Sequence, residues 1–139
     1  MWRMIGLLLC LAASLTLIAP SWAAPSLVGT WFGQGQPDSK ESMYLDHFLA
    51  SGRMHSQFRD CIKGKAYDSS EDGTWSVKGD LLTIKIERHN GVPAPRTDTY
   101  RLVSVTAQSF KDVYLPLNFP FDERRVDDGF TMPSCQLVS

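Results

Sequence analysis

The chain has 139 residues, which suits one domain. Its formal net charge of -1 excludes a broad basic surface for nucleic acid. Three cysteines and three histidines leave little material for a metal cluster or a redox motif.

The first segment is a targeting signal. Arg3 supplies a positive charge, residues 5–18 are almost wholly apolar, and Pro20 ends the run. Ser21 and Ala23 are the small residues that a signal peptidase reads. The cut is placed after Ala23, giving a signal peptide over 1–23 and one domain over 24–139. The apolar run is too short for a stable membrane span. Cleavage removes Cys10 and leaves Cys61 and Cys135, an even pair in an oxidising compartment. A Cys61–Cys135 disulfide is therefore expected, contributing roughly 4 kcal/mol in the chain-entropy model.

The mature chain reads as short alternating strands separated by turn residues. Residues 29–35, Gly-Thr-Trp-Phe-Gly-Gln-Gly, form a first strand, and residues 36–40 a loop. Residues 43–49 and 53–60 form the second and third strands around Ala50-Ser51-Gly52. A three-residue loop with Gly52 left-handed sets their register. It places Tyr44 opposite Phe58, Asp46 opposite Ser56, His47 opposite His55 and Phe48 opposite Met54. Residues 63–72 are polar and read as a loop. Residues 73–86 are a hairpin: Trp75 and Val77 alternate with polar residues, residues 78–80 turn, and Leu82, Ile84 and Ile86 alternate with Thr83 and Lys85. Residues 88–96 read as a wide loop with Pro93 and Pro95. The sixth strand is 97–105 and the seventh 109–115. Residues 116–121 form an apolar loop that two prolines keep out of a ladder. An eighth short strand is expected from Phe130 to Cys135, extending toward Val138.

No stretch has a helical period. Seven or eight antiparallel strands joined by hairpins predict an all-β, small up-and-down barrel of about eight strands. The alternative is an open sandwich.

Gly29-Thr30-Trp31 near the mature start, the 73–86 hairpin and the strand order resemble the small exported bacterial lipocalin-like proteins of the calycin group. The resemblance spans most of residues 26–138. It implies a lipocalin-like barrel in which Trp31 closes one end and a late basic residue, Arg124 or Arg125, packs over it. It also implies a periplasmic or secreted binding protein for a small hydrophobic or amphipathic molecule. The chain is shorter than a full lipocalin and shows no C-terminal helix, and a small barrel can fill itself with side chains.

Three groups of residues are candidate sites. The register puts Asp46 and Ser56 on the same face as Tyr44, Phe48, Met54 and Phe58, and a few polar groups in an apolar pocket suit a small ligand. The plainer reading is a satisfied internal pair. His47 and His55 make a two-imidazole pair, fewer ligands than zinc usually takes, so no metal site is assigned. Leu117, Phe119 and Phe121, with Arg124 and Arg125, are a candidate partner loop for a periplasmic protein, as in a protease or lysozyme inhibitor. The plainer reading there is a plug. No nucleophile setting, phosphate loop or Cys-x-x-Cys is present, so no enzyme and no cofactor are expected.

Overall fold

The computed structural model describes residues 26–135 and is a closed antiparallel barrel. The expected signal peptide at 1–23 and the expected cut after Ala23 lie outside the described residues. The strands are β1 (Gly29–Gln36), β2 (Ser39–Phe48), β3 (Arg53–Ile62), β4 (Lys65–Lys78), β5 (Leu81–His89), β6 (Val92–Val105), β7 (Ser109–Tyr114) and β8 (Phe119–Val126). Each pairs with the next, and β8 returns to β1. Closure leaves no open edge for another chain to extend. Among the described residues, no helix is long and apolar enough to cross a membrane.

The β2–β3 register is the expected one: Tyr44–Phe58, Asp46–Ser56, His47–His55 and Phe48–Met54 are partners. Gly52, at φ 85°, ends the three-residue turn.

Three expected loops are strand instead, and a fourth, at 36–40, shrinks to a turn at Pro37 and Asp38, with Gln36 ending β1 and Ser39 opening β2. Residues 65–72 belong to β4, where Ile62 pairs with Lys65 and Arg59 with Asp68. The polarity of 65–68 reflects solvent exposure, not irregular backbone, and Glu71 is buried. The expected wide loop at 88–96 is a tight turn at Asn90 (φ 49°) and Gly91 (φ 77°), the pair that a twisted hairpin favours. Pro93 and Pro95 are tolerated because β6 pairs with β7 only from Tyr100 onward. Residues 119–121 begin β8, and Pro120 pairs with Val113. Since β1 meets β8 only from Glu123 to Val126, the missing N–H of Pro120 costs no ladder bond on that side. The eighth strand is therefore 119–126, and residues 130–135 are not strand.

Instead, residues 127–135 run as a strap over the outside of the barrel. Phe32, Met43, Leu45, Cys61, Met132 and Cys135 form an apolar cluster there, apart from the barrel interior. Thr30 donates to Asp128 at 2.7 Å, and Arg59 donates to the carbonyls of Met132 (3.1 Å) and Pro133 (3.0 Å). Arg124 lies 5.1 Å from each of the Phe32 and Phe130 rings. The Cys61–Cys135 disulfide closes the strap onto β3 across a separation of 74 residues, with Cα atoms 5.4 Å apart. Replacing both cysteines with serine is expected to lower stability by about 2–4 kcal/mol, measured by urea unfolding. An unchanged unfolding midpoint would show that the strap contributes nothing through its covalent tie.

Candidate functional site

The barrel has one plugged end. Trp31 is fully buried and meets Phe110 edge-on, with centroids 4.8 Å apart. Its indole donates to the Leu27 carbonyl at 2.7 Å. Arg125 lies over the Trp31 ring at 4.1 Å and donates to the carbonyls of Ser26, Val28 and Ala107. Any Cβ at Gly29 would overlap the Arg125 guanidinium. The Gly-Thr-Trp tripeptide is thus one device: Gly29 clears room for Arg125, Thr30 fastens the strap, and Trp31 fills the end. Of the two arginines left open by the sequence, Arg125 covers the tryptophan and Arg124 faces the outer cluster.

Above this plug lies an internal cavity of about 70 Å³. All six residues of the first candidate site line it: Tyr44, Asp46, Phe48, Met54, Ser56 and Phe58. Tyr44 fits because Gly33 stands opposite it on β1, where a Cβ would overlap its ring. The floor is apolar, with Phe48, Met54, Leu82, Ile84 and Phe110 in one cluster. The walls are acidic. Glu71 from β4, Asp98 from β6, Asp112 from β7 and Glu123 from β8 join Asp46, and all five are buried.

These acids fall into two sets. At the mouth, Arg96 donates to Glu71 at 3.0 Å and to Asp98 at 2.9 Å, and His89 stands 3.4 Å from Glu71. Tyr114 also donates to Asp98, at 3.3 Å. Deeper in, Asp46 accepts a short hydrogen bond from Ser56, the satisfied pair of the plainer reading. Asp112 Oδ1 and Glu123 Oε2 have no hydrogen-bond partner, nor does the Tyr44 hydroxyl. Among the described residues, no lysine, arginine or histidine lines this cavity.

The electrostatic result follows from burial without counter-charge. Burial pushes the Asp46 carboxyl up to about 6; the Ser56 hydrogen bond holds it back and Glu71 adds to the rise. Burial and repulsion from Asp46 push Asp112 up to about 7. Glu123 is raised well above the usual carboxylate range by burial, Asp46 and Asp112. The nearby Tyr44 hydroxyl tempers that rise without making a well-formed hydrogen bond. These groups hold protons where ordinary carboxylates do not.

The other two candidates separate differently. His47 and His55 lie side by side with ring centroids 6.2 Å apart. His47 Nδ1 is 2.9 Å from the Thr30 hydroxyl and His55 Nδ1 is 2.7 Å from Asp72, so each imidazole already has a local partner. Among the described residues, no three His, Cys, Asp or Glu side chains converge to hold a metal ion. The five residues expected as one partner loop occupy separate surroundings. Leu117 is exposed at the β7–β8 turn. Phe119 packs against Phe121, and Phe121 lines the cavity beside Tyr44. Arg124 and Arg125 point to the strap and to the plug.

Sequence reasoning missed Glu71, Asp98, Asp112 and Glu123. Strand alternation carries the signal for all four. Glu71 shares the phase of Trp75; Asp98 shares that of Tyr100; Asp112 and Glu123 share those of Phe110 and Phe121. Compared with known proteins, the chain matches no family model and no curated protein.

Proposed function

We propose that this is an exported binding protein that takes a small, partly apolar molecule into the barrel interior, and that it is not an enzyme. One observation carries this reading: a cavity with an apolar floor whose walls hold buried polar atoms without partners. Buried polar groups are normally paired, and leaving one unpaired costs about 1–3 kcal/mol. Sites that receive a ligand are where such groups recur. The cavity sits beneath the barrel mouth, where Gln36, Phe58, Glu71, Asp98 and Tyr100 line both spaces. Its size limits the ligand to a compact molecule or to one arm of a larger one, well below the roughly 300–1,000 Å³ of drug-sized sites. The disulfide supports export to an oxidising compartment.

Native mass spectrometry of protein purified from its own host tests this. The expected result is an added mass that disappears on denaturation. A bare mass, together with no thermal shift from any member of a small-molecule panel, would contradict it.

A further inference from the structure

The deep acids say more about the ligand than its size. We propose that the ligand is a small organic cation, a protonated amine with a short apolar body, whose ammonium is held by Asp112, Glu123 and the Tyr44 hydroxyl. The proposal rests on the interior being the ligand site and names the class that fits it.

Three independent features agree. Among the described residues, the deep wall carries three carboxyls and no basic residue, while Arg96 at the mouth is already shared by Glu71 and Asp98. Asp112 Oδ1, Glu123 Oε2 and Tyr44 Oη lack partners in residues only 3%, 5% and 4% exposed. Three acceptor groups around one space match the three donors of an ammonium. The floor, meanwhile, is Phe48, Met54, Ile84 and Phe110, which asks for carbon. A bare metal ion would leave the apolar floor without a partner.

Binding is then an exchange of cations. The groups around the site are Tyr44 and Asp46 on β2, Ser56 and, farther out, His55 on β3, Glu71 on β4, Arg96, Asp98 and Tyr100 on β6, Asp112 and Tyr114 on β7, and Glu123 with the more exposed Asp122 on β8. β5 presents Leu82, Ile84 and Ile86 inward and His89 at the mouth, 3.4 Å from Glu71, and β1 presents Trp31 and Gly33, which do not titrate. Without ligand, a carboxyl of the deep set keeps its proton. An arriving ammonium replaces that proton, which leaves to solvent as the carboxylate forms. Affinity therefore rises with pH while the amine stays protonated.

The test is isothermal calorimetry with three molecules of matched size: butylamine, butanol and butanoate. At about pH 8, butylammonium is expected to bind at least about tenfold tighter than butanol, and butanoate not at all. Lowering the pH to about 6 should weaken the amine by about tenfold and leave butanol unchanged. Asp112→Asn and Glu123→Gln each remove a charge without removing volume, and should abolish the preference while keeping butanol binding. Butanol binding as tightly as butylammonium would overturn the cation class and leave the interior as a ligand site. Failure of all three would overturn the cation class; a carried mass in the host-purified protein would then decide whether the interior binds anything.

Discussion

Replacing Trp31 with alanine is expected to cost about 3–5 kcal/mol, the range for removing a large aromatic from a packed core. The indole is fully buried, packs edge-on against Phe110 and is capped by Arg125. Its loss opens a void that neighbours cannot fill, because Arg125 is held in place by three backbone carbonyls. The Leu27 carbonyl also loses its donor. The melting temperature should fall by about 15 °C or more for a domain of this size. Trp75→Ala is the matched control. Trp75 is only partly buried, and its indole donates to Leu49 at an exposed rim, so the same truncation should cost much less. Equal losses at the two positions would contradict the assignment of Trp31 as the end plug.

The second large effect is an inverted pH profile. A carboxyl raised in the folded state binds more protons there than in the unfolded chain. Its contribution to stability is therefore complete below the ordinary carboxylate range, near 4, and is lost as pH rises through the folded value. Asp46 at about 6 and Asp112 at about 7 set the window, with Glu123 raised in the same direction. The protein without ligand should be most stable near about pH 5 and lose on the order of 10 °C in melting temperature by about pH 8. Below the optimum, exposed pairs such as Arg59–Asp68, where the arginine lowers the aspartate, protonate and weaken in the usual sense. The double variant Asp112→Asn, Glu123→Gln should flatten the fall between the two pH values and raise stability at the upper one. Calorimetric melts across the range read both effects. A melting temperature that rises from about pH 5 to about pH 8 would contradict the buried acidic cluster.

What the sequence disclosed, and what it hid, has one cause. Wherever a turn fixed the strand phase, side-chain direction followed. Gly52 sets the β2–β3 register, so the sequence alone puts Asp46 opposite Ser56 on the inner face. The lone pair of mature cysteines was enough for the disulfide. Where prolines suggested loops, the phase was lost. Pro93 and Pro95 masked the Asn90-Gly91 turn and the start of β6, whereas Asp98, inside the expected strand 97–105 and in phase with Tyr100, was legible and was missed. Pro116 and Pro120 masked the start of β8, and with it Phe121 and Glu123. The choice between Arg124 and Arg125 failed for the same reason, since neighbours in a strand point to opposite faces. Prolines stop a central strand, but Pro93, Pro95 and Pro120 stand where a strand lacks a neighbour on one side, a fact of barrel stagger that only the closed sheet reveals, and Pro116 sits in the β7–β8 turn. The outer strap was invisible because its apolar residues contact β1–β3 only after the chain has closed.

The central claim is that the barrel interior is where a ligand sits. Methyl NMR during titration with butylammonium, and separately with butanol, tests it most directly. The methyls of Met54, Ile84 and Ile86 line the cavity, whereas those of Val77, Val92 and Val103 are exposed. With at least one of the two molecules, the inner methyls should shift in a saturable way while the outer ones stay still. Shifts confined to the outer methyls, or none with either molecule, would contradict the claim.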